Sequence, residues 1–417
     1  MLLRTILNRI HHFKGFIYSH IDFEPKHGKT HLVVSVLHRR GSKAICSKCG
    51  QKRPGYDHLP ARRFAFIPIW NIPVYFEYAL RRVKCPTDGI VVEQLPWADG
   101  KHHTTTAFRL FLSQWARLLS WQEVATRFHT SWDTVHDSIV SVVDYGLANR
   151  VLDGIRSIGI DELAIWAGHN YITMVYQIDA GVRRLLWIGK ERTKETVMQF
   201  FDELGTQRSA AIEYVCSDMW KPYLSVIAKK IPQALNILDR FHIMKKFGEA
   251  IDDVRREETE RLVHDGYEPV LKKSRWLLLK RQENLTFAQR GRLKTLLSYN
   301  IKTVKAYLLR EDFQHFWTYS SVTWARKFLH EWIGRTMHSR IEPMKKVARM
   351  LKNHEDLIMN WFVAQGKLSS GIVEAMNNTA KVTIRKSYGF RQYETLKYAL
   401  YHRLGDLPLP KFTHEFF

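Results

Sequence analysis

SIGIDELAIWA (157–167), NYITMVYQIDA (170–180) and RRLLWIGKE (183–191) are three adjoining runs rich in Ile, Val, Trp and Tyr. Short polar breaks, Gly168-His169 and Gly181-Val182, separate them, which is the pattern of an antiparallel meander. TKETVMQFFDELG (193–205) follows with Thr193 as a helix N-cap and Gly205 as a stop. IEYVCSD (212–218) reads as a buried strand, KPYLSVIAKKIP (221–232) as a helix and ALNILDRFHI (234–243) as another strand.

Two carboxylates stand at matching places in this pattern. Asp161 sits inside the first apolar run, and Asp218 ends the fourth strand just before a helix. A buried carboxylate is expensive unless it is paired or bound to metal. Strands of one sheet lie side by side, so two such positions can converge and hold a hard cation such as Mg²⁺ through oxygen. The alternative is that Asp161 pairs with an arginine and Asp218 only caps the helix at Lys221.

The 417 residues suffice for two or three domains, and 64 Lys+Arg against 41 Asp+Glu leave a net charge of +23. That excess points to a polyanion, most simply nucleic acid. No run of apolar residues is long enough to span a bilayer, and Arg4 and Arg9 interrupt the apolar N-terminus in a way that does not suit a secretory signal. Four cysteines, three of them between 46 and 85, argue against a disulfide scaffold and for a reducing compartment. The expected location is the cytoplasm, with action on DNA wherever DNA is accessible.

Residues 1–100 read as a small strand-rich unit, with HLVVSVLHRR (31–40) and FIPIWNIPVYFEYALRRVKC (66–85) alternating apolar and polar. Cys46 and Cys49 form a Cys-x-x-Cys knuckle, and Cys85 is followed three positions on by Asp88 where a second Cys is expected. Three thiolates and Asp88 make a zinc set, with His58, His102 and His103 as other sources of the fourth bond. Residues 101–150 read as helices. Ser120-x-x-Glu123 is a capping box, His129-Thr130-Ser131 is a short break, and a second helix starts near Trp132 with Val135, Ile139 and Val142 inward. That is a helix-turn-helix pattern, offering Trp132, Asp133, Thr134 and His136 to base edges.

After the sheet region, 151–243, residues 244–361 read as a helical insertion dense in Lys and Arg, with Trp276, Trp317, Trp324 and Trp332 expected in its core. Residues 362–417 bring the chain back. In GKLSSGIVEAMNNTAKVTIRKSYGF (366–390) a helix from Gly371 to Lys386 places Glu374, Asn378, Lys381 and Arg385 on one face. An acid able to bind metal thus lies in line with side chains suited to phosphate oxygens. The helix Tyr393 to Leu404 has its own apolar stripe, Leu396, Ala399 and Leu400.

IGIDE (158–162), CSDMWKPYLSVI (216–227), LDRFHIMKK (238–246) and SSGIVEAMNNTAKVTIRKSYGF (369–390) together resemble the transposases of ISL3-group insertion sequences, within the DDE class. The resemblance implies a mixed α/β, multi-domain chain with an RNase H-like catalytic domain split by the helical insertion, behind a zinc-ribbon-like unit and the helix-turn-helix. It implies Asp161, Asp218 and Glu374 as a catalytic triad holding two Mg²⁺ or Mn²⁺ ions, with Asp239 and His242 as a supporting Asp-x-x-His motif. It further implies double-stranded DNA partners, namely terminal inverted repeats and target, and a homo-oligomer assembled on DNA. Asp88 departs from the family's fourth zinc cysteine. Two other readings compete: a catalytically inactive DNA-binding regulator, against which the three acids count, and an RNase H-like nuclease without joining, which has less need of end-reading units.

Overall fold

The meander forms as expected. In the computed structural model, which describes residues 3–26, 29–99, 102–166, 170–268, 270–364 and 371–410, the strands Ser157–Trp166, Asn170–Asp179 and Val182–Lys190 pair antiparallel in sequence order. Gly168-His169 lies outside the described residues. Tyr214–Ser217 then pairs parallel with the first strand, and Leu235–Leu238 pairs parallel with Tyr214–Ser217. The spatial order is therefore third, second, first, fourth, fifth. The crossover helices Lys194–Leu204 and Lys221–Lys230 bury Val197, Phe200, Phe201, Tyr223 and Val226 against Ile158, Ile160 and Val175. Thr193 accepts the Thr196 N–H to start the first of these helices, and Gly205, at φ 87°, ends it.

The chain divides into two compact units, Leu152–Asn378 and Met1–Val151 with Thr379–Phe417. Within the first of these, successive side chains of Ser157–Trp166 alternate between faces, so Ile158 and Ile160 enter the core and Gly159 and Asp161 take the other side. The helix Gly371–Lys386 crosses that other side at Gly159, where an added Cβ would overlap Val373 Cγ2. A glycine is what lets helix and strand approach this closely.

The fifth strand is shorter than its apolar pattern suggests. It stops at Leu238, because the Asp239 carboxylate accepts the Phe241 N–H and caps a 25-residue helix, Arg240–His264. From there to Val363 the chain is helical and shares a core around Phe247, Phe313 and Trp332. Buried Glu258 accepts the Lys302 and Thr303 N–H groups at 2.9 and 2.7 Å, fixing the start of Lys302–Gln314. The four tryptophans do not all go inward. Trp317 and Trp332 are buried, but Trp276 and Trp324 are each 59% exposed, since their helices turn those positions to solvent.

In the other unit the sheet runs Phe16–Lys26, Lys29–His38, Ile72–Cys85, Gly55–Ile69, with Gly89–Val92 on the far end of Ile72–Cys85. The segment 66–85 folds back on itself at Trp70-Asn71, both at positive φ, the geometry of a tight hairpin turn. The helices Thr106–Leu118, Trp121–Arg127 and Trp132–Asn149 follow. The Ser120/Glu123 capping box is present, and Ser131 caps the last helix. Tyr393–Leu404 buries Leu396, Ala399 and Leu400.

His402 sits on that last helix at 5% exposure. Burial, then the charges of Arg117 and Arg403, depress its imidazole to about 3. An unfolded histidine takes its proton near 6.5, so below that pH the unfolded chain binds a proton the folded one refuses. The full contribution to stability is present above about pH 6.5 and shrinks by roughly 1 kcal/mol per unit as pH falls towards 3. His402→Leu should flatten the melting temperature between pH 6.5 and 5 by calorimetry; an unchanged slope would assign the proton elsewhere.

Candidate active site

The register of the parallel strands sets the site. Gly159 lies opposite Cys216 and Ser217 opposite Leu238. Continuing each pairing by one or two residues brings Asp161, Asp218 and Asp239 to one level across three adjacent strands. They line a narrow crevice with Ile160, Cys216, Ser217, His242 and Val373.

Each acid is held by specific donors. Asp161 accepts the Glu162 N–H at 2.8 Å and the Asn377 side-chain amide at 2.5 Å. The Asn377 carbonyl in turn accepts the buried Tyr176 hydroxyl at 2.7 Å, which fixes which way the amide points. Asp218 accepts the Trp220 N–H at 2.9 Å with one oxygen and meets Arg192 at 3.0 Å with the other. Arg192 also pairs with Glu162 at 2.9 Å and stacks over Trp220, 4.4 Å from the ring centroid. His242 Nδ1 lies 2.8 Å from Asp239. The alternative reading paired an arginine with Asp161; Arg192 pairs with Asp218 instead, and Asp161 is held by an amide.

The electrostatics are those of crowded, dehydrated acids. Burial pushes the Asp161 carboxyl above the usual carboxylate range, opposed first by the His242 charge. Burial and then the Asp218 charge push Glu162 up to about 7. The hydrogen bond to Asp239 raises the His242 imidazole. Burial raises Cys216 to about 12, so it is a packed thiol and no nucleophile.

Glu374 lies apart from this crevice. It is exposed, one residue along from Val373, and lines a larger cavity of about 830 Å³ with Arg240, Phe241 and Trp276. Asn378, Lys381 and Arg385 are exposed too. Glu162, Arg192, Tyr176 and Asn377 escaped the sequence reading. Only Asn377 carried a usable signal: it is four residues beyond Val373, hence on the side of the helix that meets the sheet.

In the other unit, the ligating atoms of Cys46, Cys49, Cys85 and Asp88 all lie within 4.8 Å of one another. Cys85 and Asp88 are 3.2 Å apart, and Arg53 donates to Cys49 at 3.6 Å. The histidines considered for the fourth bond are elsewhere: His58 stacks on His38, and Arg62 binds His103 Nδ1 and the His102 carbonyl. Trp132 and His136 stack on each other, centroids 5.3 Å apart, and the Thr134 hydroxyl meets Ser131 at 2.8 Å.

Residues 158–400 match the family model described as Transposase, that of the ISL3 group. This chain is an ISL3-family transposase. It is similar to the transposase for insertion sequence element IS1001 of Bordetella parapertussis, 30% identical over 400 residues, covering 94% of this chain and 96% of that protein. It is also similar to the transposase for insertion sequence element IS1557 of Mycobacterium tuberculosis, 29% identical over 412 residues, with 92% and 91% covered. Among the transposase's described residues, no helix is long and apolar enough to cross a membrane.

Asn377→Ala would strip a partner from both Tyr176 and Asp161 in a nearly dry site. The transposase variant should lose about 1–3 kcal/mol of stability in thermal unfolding. A melting temperature within a degree of wild type would show that the amide bridge contributes little.

Proposed function

We propose that this transposase binds the ends of its insertion sequence and carries out metal-dependent DNA cleavage and strand transfer, with Asp161, Asp218 and Glu374 as its catalytic acids. The observation that carries this reading is the convergence of Asp161 and Asp218 on one crevice, under a helix that carries Glu374 and is locked to the same sheet at Gly159. The sheet order, three antiparallel strands followed by two parallel ones, suits an RNase H-like domain with residues 244–361 as its insertion. The acids offer hard oxygen donors in a crowded anionic crevice, which fits Mg²⁺ or Mn²⁺. Two such ions would activate the attacking oxygen and stabilise the leaving one.

The residues around the acids do the positioning. Asn377 and the Glu162 N–H aim Asp161, while Arg192 and the Trp220 N–H aim Asp218. Asp239 and His242 flank the pair and support it. Water attack would free a 3′-hydroxyl, and that hydroxyl would then attack target DNA; both are in-line phosphoryl transfers that one site serves. Lys381 and Arg385, on the exposed face of the Glu374 helix, suit phosphate contacts. The helices Trp121–Arg127 and Trp132–Asn149 would act as a helix-turn-helix reading the ends, through Trp132, Thr134 and His136.

The cysteine cluster fits a structural zinc in a ribbon-like unit. Three sulfur donors and one carboxylate close a tetrahedral set, and the Arg53 guanidinium offsets part of its negative charge. Assembly as a homo-oligomer on inverted repeats and target DNA, at the nucleoid, completes the reading.

Asp161→Asn, Asp218→Asn and Glu374→Gln should each abolish nicking of an element-end duplex in Mg²⁺ while electrophoretic shift of that duplex persists. Near-normal nicking by any one of them would remove that residue from the triad.

Metal analysis of purified transposase should give one zinc per chain, and Cys49→Ser should lose it together with end binding. Folded protein that binds ends and contains no zinc would refute the site.

A further inference from the structure

The 830 Å³ cavity beside the acids has a lining the cleavage chemistry does not explain. Two aromatic side chains line it while keeping much of their surface in solvent, Trp276 at 59% and Phe241 at 51% exposure. Large exposed aromatics in a concave site mark a place where something stacks. The Arg275 guanidinium lies 5.3 Å from the Trp276 ring centroid, adding positive charge beside the ring. The acids on the wall largely have partners: Asp252 pairs with Arg255 and Arg275, Asp253 with Arg256, and Glu249 with Lys246. Arg240, whose guanidinium lies 5.3 Å over the Trp317 ring, and Lys245 make no ion pair among the described residues, so the cavity keeps cations that no acid neutralises next to its aromatic surfaces.

The placement of this lining matters as much as its chemistry. Asp239 and His242 face the acidic crevice, while Arg240, Phe241 and Lys245, from the same turns of one helix, face the cavity. The Phe241 and His242 rings are 5.8 Å apart. Glu374 stands on the cavity wall. A strand whose phosphate lay at the acids would have the cavity mouth open beside it for a neighbouring nucleotide. The volume is in the range of pockets that enclose small molecules of nucleotide size.

We propose that this cavity receives one unstacked nucleotide of the DNA strand being cut, its base against Trp276 and Phe241 and its phosphate against Arg240 and Lys245. The proposal rests on the reading of the acids as the cleavage site. Base–aromatic stacking tolerates any sequence, because every base has a π-face, so the cavity would grip the strand without reading it. It would fix the position of the cut relative to whatever reads the element end.

The test uses full-length transposase on an element-end duplex carrying 5-iodouracil at each position across the cut in turn, held in Ca²⁺ and irradiated. The expected result is a crosslink from a position beside the cut to Trp276 or Phe241, mapped by mass spectrometry. Trp276→Ala should nick the normal duplex in Mg²⁺ about tenfold more slowly. It should match wild type on a duplex made abasic at the crosslinked position, where no base remains to stack. Because Trp276 is exposed, its loss opens no hole in the core, and Trp276→Phe should recover most of the rate. Absence of both crosslinks in a complex that binds and nicks normally would overturn the proposal. So would a Trp276→Ala defect that is equally large on abasic DNA, since a merely structural role predicts that. Wild-type protein that binds ends but never nicks would instead overturn the cleavage reading beneath it.

Discussion

Carboxylates at one level of three adjacent strands repel one another and lose hydration together, and the surroundings of the site follow from that conflict. Asp161, Asp218 and Asp239 are brought into line by parallel pairing that also builds the core, so the sheet cannot form without crowding them. Arg192 answers at Asp218 in the middle of the row and His242 at Asp239 on one end, with the Asn377 amide donating to Asp161 on the other. Glu162 adds a further half-buried acid, and Arg192 balances it. A cluster this acidic and this dry favours a cation more strongly than any isolated surface carboxylate would.

The same row explains why small residues sit where they do. Gly159 precedes Asp161 on its face of the strand, and its missing side chain makes room for Val373. That contact sets the depth at which the Gly371–Lys386 helix lies, and with it the position of Asn377 one turn on. Tyr176, from the neighbouring strand, closes the chain of hydrogen bonds. The amide that aims Asp161 is thus placed by a glycine, a valine and a tyrosine that carry no charge.

The sheet was legible because its strands are apolar, short and separated by turn residues. Asp161 and Asp218 stood out as acids in apolar surroundings. Arg192 did not, since a charged residue just past the end of a strand looks solvated, nor did Glu162, whose place beside Asp161 in mid-strand looks like the outward face until Arg192 is known to meet it. Asp239 appeared inside a strand because LNIL and the following FHI are equally apolar; only its carboxylate capping Phe241 shows where the strand ends. Trp276 was misread as core because a helix of only five residues, Arg275–Leu279, has too few turns to show which side is buried. The cysteine cluster was readable from spacing, down to Asp88, because each pair, Cys46 with Cys49 and Cys85 with Asp88, spans one tight turn, which keeps its two side chains close.

The helix Arg240–His264 begins at the capped end of the fifth strand and runs unbroken for 25 residues. At a rise of about 1.5 Å per residue, it is an arm about 38 Å long. A tilt of about 5° at its capped end displaces the far end by about 3 Å, while Asp239 and His242, at the pivot, scarcely move. A tilt of the arm is therefore felt far less by Asp239 and His242 at its root than at its far end.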